Sequence, residues 1–188
     1  MKMHQASTDL ELFLGCRDRI PSVQKAVYEK YCNAMYAVCL RYIKETAAAE
    51  DTLVVAFTKV FERINQFKAT GSFGGWIRRI IVNECLMYLE KEKNLYNEIG
   101  LDSIPAAVQY TPSDELGLED LMKLINSLPV GYRTVFNLYA IEGYSHQEIA
   151  DRLKITENTS KSQLCRARCH LQRMISKRVQ KKSMLKCA

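Results

Sequence analysis

From about Val23 to Lys44, apolar residues return in steps of three and four: Val27, Tyr31, Met35, Val38 and Tyr42. That spacing keeps them on one face of a long helix, which Pro21, tolerated in a first turn, opens. Cys32 and Cys39, seven apart, share a face and are expected in the core. A second stripe, Leu53, Phe57, Val60, Phe61 and Ile64, predicts a helix from the alanine-rich run at 47–51 to about Ile64. Val55 falls on its opposite side with Asp51, Thr58 and Glu62, where an exposed valine suits a partner surface. GSFGGW at 71–76 reads as a glycine-rich turn, with Asn65 to Gly75 as a loop. From Trp76 to about Glu90 the chain is apolar on most sides of a helix, which places that helix centrally. Thr8 and Glu11 form a capping-box pattern before a short helix through Leu14. No period of two appears, so the first half is predicted to be an all-α bundle of four or five helices.

The polar pattern changes character at residues 143–175. Ser145 and Glu148 repeat the capping box, and Ile149, Ala150 and Leu153 give a short apolar face. Lys154 ends that helix, Ile155 is a small apolar plug, and the Thr156 hydroxyl suits the cap of a second helix. Around the second helix, Ser160, Leu164, Ala167, Leu171 and Ile175 face inward. Asn158, Thr159, Ser162, Arg166 and Arg173 face outward, flanked by Lys161 and Gln163. Two helices joined this tightly, the second basic, predict a helix-turn-helix. Short polar side chains with one Arg suit base edges in a major groove, and the flanking Lys161 and Gln163 suit phosphates or outer bases. Arg168, nearer the apolar stripe, suits either a phosphate or an ion pair with Glu148 or Asp151.

Charge sharpens this picture. Residues 1–95 carry 14 basic and 11 acidic side chains, residues 96–120 six acids and no base, and residues 121–188 13 bases and four acids. The basic C-terminal half points to a polyanion, with the acidic middle a separate piece. Asn94 to Gly117, with Pro105 and Pro112, reads as a flexible linker. Lys177, Arg178, Lys181, Lys182 and Lys186 read as a frayed basic tail adding nonspecific DNA affinity. Seven cysteines without a C-x-x-C pattern, no signal-peptide run and no apolar stretch near membrane length predict a cytoplasmic chain with reduced thiols.

Chemistry has little to build on. His4, His146 and His170 are scattered, and the glycine-rich turn is too short for a phosphate-binding loop and lacks its Lys. Cys165, Cys169 and His170 could approach one metal, but no fourth ligand is evident. No enzyme activity, metal or cofactor is expected.

The run LRYIKETAAAED…AFTKVFERINQF…GSFGGWIRRIIVNECLMYL at 40–89 resembles the second conserved region of bacterial sigma factors. The run INSLPVGYRTVFNLYAIEGYSHQEIADRLKITENTSKSQLCRAR at 125–168 resembles their fourth. Having only these two regions is the plan of the extracytoplasmic-function (ECF) group. The resemblance implies two small helical domains: region 2 over 1–95, a linker over 96–112, region 4 over 113–180 and a basic tail over 181–188. It implies binding to core RNA polymerase and promoter DNA, with an anti-sigma protein as a possible further partner and no membrane insertion. Region 4 would read the −35 element through Asn158, Thr159, Lys161, Ser162, Gln163 and Arg166. Region 2 would hold a flipped base of the −10 element in the loop matching Lys68 to Gly74. Lys68, Phe73, Trp76, Arg78, Arg79 and Asn83 are its expected DNA contacts, with Phe67 beside them, because base flipping needs a stacking pocket near basic residues. For Phe73 and Trp76, anchoring of the loop in the core is the favoured reading. Asp51, Val55, Thr58 and Glu62 would meet the polymerase.

The sequence departs from the family pattern in places. Val54 and Val55 stand where a Gln and an acid are common, and Met87 and Glu90 where an Asp and an Arg are common. Two rival functions follow: a helix-turn-helix regulator acting without polymerase, or a degenerate sigma copy acting only as an interaction protein.

Overall fold

Thr8 starts the first helix as its spacing to Glu11 predicts. Its hydroxyl accepts from the Glu11 amide at 3.3 Å, and the Glu11 carboxylate accepts from the Thr8 amide at 2.8 Å. Helix α1 follows over Asp9–Arg17, past the Leu14 expected. The computed structural model describes residues 8–99 and 118–186, and its described residues contain helices and no strand. The chain divides into two compact units between residues 100 and 101.

In the first unit, α2 (Pro21–Tyr42) and α3 (Thr46–Glu62) bury the stripes that their periodicity predicts. Val27, Met35, Val38 and Tyr42 of α2 are buried, as are Leu53, Ala56, Phe57 and Val60 of α3, and the two helices pack on each other. A 3-10 turn, Ile64–Gln66, then tucks Ile64 into the same core. Cys39 is buried, but Cys32 is only half-buried, its thiol directed to the Glu29 carbonyl at 3.7 Å. The expectation that both cysteines are core residues therefore holds only for Cys39.

Helix α4 spans Phe73–Ile99, beginning three residues before Trp76 and ending nine after Glu90. The glycine-rich stretch is thus largely the first turn of a helix. Ser72 caps it: its hydroxyl accepts from the Gly75 amide at 3.2 Å, and its carbonyl from the Trp76 amide at 3.0 Å. Turning is left to Ala69 and Gly71, at φ 55° and 136°. At the other end, residues 91–99 contain no Pro or Gly to stop the helix. The linker expected from Asn94 therefore begins inside α4, and its remainder, 100–117, lies outside the described residues. Ile77, Ile81, Val82 and Cys85 are buried, in keeping with a central helix. Lys59 from α3 and Glu84 from α4 pair at 2.6 Å, with the Glu84 side chain only 8% exposed. That pair holds the two helices in register, because either charge buried alone would be costly.

The second unit contains α5 (Leu118–Ser127), α6 (Val130–Phe136), α7 (His146–Leu153) and α8 (Glu157–Lys186). Leu124, Ile125 and Leu128 from the α5 segment pack on Ala167 and Leu171 of α8. Arg133 is buried and donates to the Asn126 and Leu128 carbonyls at 3.2 and 3.3 Å, satisfying the free end of α5. Burial draws its guanidinium down to about 10, still charged at neutral pH. The α6 helix widens into a π turn over Asn137–Ile141, burying Leu138 and leaving Tyr139 at the surface. Because α8 continues to Lys186, the backbone of the expected tail is helical to that point. The side chains of Lys177, Arg178, Lys181, Lys182 and Lys186 lie outside the described residues.

Candidate nucleic-acid interface

The helix-turn-helix is built by three local devices. Ser145 and Glu148 cap α7 reciprocally, at 2.8 and 3.2 Å. Lys154 then adopts the left-handed conformation, φ 54° and ψ 44°, which stops α7 and reverses the chain. Thr156 accepts from the Thr159 amide at 3.1 Å and so starts α8. Between the two helices, the His146 ring lies 2.9 Å from the Ser160 hydroxyl and stacks on Tyr139 with centroids 4.5 Å apart. Arg168 lies over the same Tyr139 ring at 5.7 Å. Neither Tyr139 nor the His146–Ser160 link was singled out by the sequence, because Tyr139 lies six residues before the capping box and its ring meets His146 only through the turn between them.

Inward positions on α8 fall as the periodicity requires. Ser160, Leu164, Ala167 and Leu171 are buried and Ile175 is half-buried. On the outer face Asn158, Ser162, Arg166 and Arg173 are exposed. Thr159 is half-buried, its hydroxyl 2.8 Å from that of Thr156, so it is engaged in capping. Lys161 is exposed and pairs with Glu157 at 2.6 Å, which holds the Glu157 carboxyl below its ordinary range. Gln163 is half-buried and lies along α6: a Cβ placed on Gly131 would be 3.4 Å from its amide oxygen. Of the six expected −35 contacts, Asn158, Lys161, Ser162 and Arg166 are thus exposed, and Thr159 and Gln163 are half-buried.

In the first unit the expected DNA-binding set sorts into surface and core. Phe67 contacts the Phe13, Phe73 and Trp76 rings at 5.1, 5.3 and 5.6 Å. Phe73 lies inside this cluster, 1% exposed, and has no ring face to offer a base. It anchors the loop, whereas Phe67 and Trp76 are half-buried at its rim. Lys68 and Arg79 are exposed beside them, and Arg78 and Asn83 are half-buried along α4. Asp51, Val55, Thr58 and Glu62 line one exposed face of α3, with Val54 and Val55 at 58% and 48% exposure.

Comparison with known families matches the two units separately. Residues 27–94 match the Sigma-70 region 2 model, and residues 118–171 match that of Sigma-70, region 4. The chain belongs to the sigma-70 family. This sigma-70 protein is of the ECF type, as its relatives indicate. It is 25% identical to the ECF factor SigE of Mycolicibacterium smegmatis, over 87% of this chain and 65% of that one. It is 24% identical to the ECF factor SigM of Bacillus subtilis, over 81% of this chain and 95% of that one. It also matches the probable sigma factor RfaY of Xanthomonas campestris, at 28% identity, over 72% of this chain but 36% of RfaY. The chain thus spans less than two thirds of SigE and RfaY. Among solved structures, the sigma-70 protein shares its fold with RpoE from a complex with the anti-sigma factor NepR of Bartonella quintana. That match has a TM-score of 0.54 and 22% identity, covering 81% of this chain and 96% of RpoE. It also matches CnrH, solved with the cytosolic domain of CnrY, at TM-score 0.50 and 19% identity over 89% and 97% of the two chains.

Proposed function

We propose that this chain is an alternative sigma factor that binds core RNA polymerase and directs initiation at particular promoters. The observation that carries the reading is the outer face of α8. In a unit matching region 4, a capped second helix exposes Asn158, Ser162 and Arg166 on one face, and the opposite face is buried. That helix reads the −35 element as a duplex, with Arg166 as the base reader and Lys161, Gln163 and Thr159 supporting it from the flanks. Phe67, Trp76, Lys68, Arg78, Arg79 and Asn83 engage the melted −10 element, aromatic rims stacking bases and cations neutralising the strand. The α3 face of Asp51, Val55, Thr58 and Glu62 docks on the polymerase, more through apolar contact than a Gln and an acid there would allow. An anti-sigma protein is a further partner, as the anti-sigma factor NepR is for RpoE in its complex. The chain acts in the cytoplasm as a transcription regulator rather than an enzyme.

The test is run-off transcription with core polymerase on a library of random promoter DNA. Discrete transcripts sharing two upstream elements are expected. Duplex binding without polymerase association would instead make the chain a conventional regulator. Polymerase association without transcripts would make it a degenerate copy, a reading that exposed Val54, Val55 and Met87 favour at departed positions.

A further inference from the structure

Among the described cysteines, Cys16, Cys39 and Cys85 are buried and Cys32 is half-buried, whereas Cys165 and Cys169 are exposed. Both exposed thiols are on α8, one turn apart. Cys165 lies seven residues after Asn158, and Cys169 seven after Ser162. At about 100° per residue, each thiol lies within about 20° of that base-reading position and about 10 Å further along the helix. Lys161 and Arg168 stand four before and three after Cys165, and Arg166 and Arg173 three before and four after Cys169. At those spacings they are neighbours on the helix surface. The two rows that carry the proposed duplex contacts therefore run into a pair of exposed thiols framed by cations.

We propose that Cys165 and Cys169 form a thiol-modification site whose substrate is a small anionic disulfide of the glutathione class, and that the mixed disulfide releases α8 from duplex DNA. The cations draw an anionic disulfide to the face that they would otherwise present to phosphates. The cysteine sulfur, giving up its proton, attacks one sulfur of the incoming disulfide, whose S–S bond breaks. The departing glutathione thiolate takes up a proton, so one disulfide is consumed, one is formed and no further oxidant is needed. A bridge between the two cysteines is disfavoured. Residues four apart on a helix hold their Cβ atoms about 5–6 Å apart, against about 3.5–4.5 Å in a disulfide. The adduct puts a bulky anionic peptide on the groove-facing rows, where it blocks approach and repels phosphate.

The inference rests on α8 being the duplex reader, and two separate readouts keep the two claims apart. The full chain is incubated with glutathione disulfide, mapped by peptide mass, and titrated with a duplex carrying the upstream element recovered from the random-promoter run-off library before and after treatment and after reduction by dithiothreitol. Glutathione adducts on Cys165 or Cys169 are expected. Affinity should fall at least about tenfold, by the loss of groove approach and phosphate contacts, and return on reduction. A variant carrying Cys165→Ser and Cys169→Ser should lose this response, judged by its own ratio before and after oxidation. Failure of the two thiols to take the adduct, adducts that leave affinity unchanged, or an equal response from the double variant would each overturn the proposal. Absence of specific duplex binding in the untreated chain would overturn the reading of α8 itself.

Discussion

Arg166 and Lys161 lie five positions apart on α8 and are both exposed, yet their surroundings differ. Arg166 sits on the exposed outer face with Asn158 and Ser162, so under the proposed reading Arg166→Ala should weaken duplex binding by about 1–3 kcal/mol and relax preference at one base pair. Lys161 sits to the side and is held by Glu157 at 2.6 Å, so Lys161→Ala should weaken binding to every sequence and flatten the salt slope by about one unit. Titrations on specific and random duplexes at several salt concentrations separate the two; equal losses on both would show that the faces are misassigned. These positions were legible in the sequence because helical period alone sorts inner from outer. The period does not say what a side chain bends towards. Thr159 and Gln163 are counted outward or flanking by angle, but the Thr159 hydroxyl is engaged with the capping Thr156 and the Gln163 amide lies against α6 at Gly131. Asp9 is a similar case in the first unit, accepting from Lys30 at 2.8 Å and Tyr31 at 2.7 Å. Those hydrogen bonds hold its carboxyl below the ordinary 3.8. Being lowered in the folded state, it adds stability above that value, and the gain disappears as pH falls through the folded pKa. Comparing melting of the native chain and Asp9→Asn should show a small gap, no more than about 1 kcal/mol for a half-exposed group. That gap should be constant near neutrality and should close in acid.

At the scale of the element, α3 and α4 show what a pattern can and cannot reveal. The phase of α3 was readable, since five apolar positions fix which side is buried. Val55→Lys should therefore leave the melting temperature nearly unchanged while weakening polymerase binding in a pull-down with core enzyme. A large drop in melting temperature would mean that Val55 is not on the free face. The start of α4 was not readable, because glycines argue for a turn unless something else calls for them. Gly74 faces the Tyr31 ring: a Cβ there would lie 2.8 Å from Cε1, and Tyr31 is tied to Asp9 and has little freedom to retreat. Gly75 has only Ser72 nearby, at 3.5 Å. Gly74→Ala should thus cost about 1–3 kcal/mol through overpacking. Gly75→Ala should be neutral or stabilise by up to about 1 kcal/mol through helix propensity. Equal effects in thermal unfolding would refute the packing account of the first glycine.

For the whole molecule, the sequence signalled division through charge: an acidic stretch between a near-neutral half and a strongly basic one. The chain divides into two compact units, each with a core of its own, one around Phe57, Phe73 and Ile77 and the other around Leu128, Leu138 and Leu164. What charge could not locate is the boundary, since helix α4 continues to Ile99 through residues that a composition shift assigns to the linker. Separate cores imply separate folding, and a covalent connection then contributes mainly by concentration. Once one unit is engaged on polymerase or DNA, the other is held nearby at an effective concentration set by the connecting chain. Fragments 1–100 and 101–188, mixed in equal amounts, should each keep a cooperative thermal transition. Run-off transcription by the mixture should nevertheless fall by about 10²–10⁴-fold at low micromolar concentration, the range over which linkage exceeds independent binding. Raising the fragment concentrations should recover part of the signal, because only concentration has been lost. Failure of either fragment to fold would show that the cores depend on each other, and full transcription by the dilute mixture would show that the connection contributes nothing.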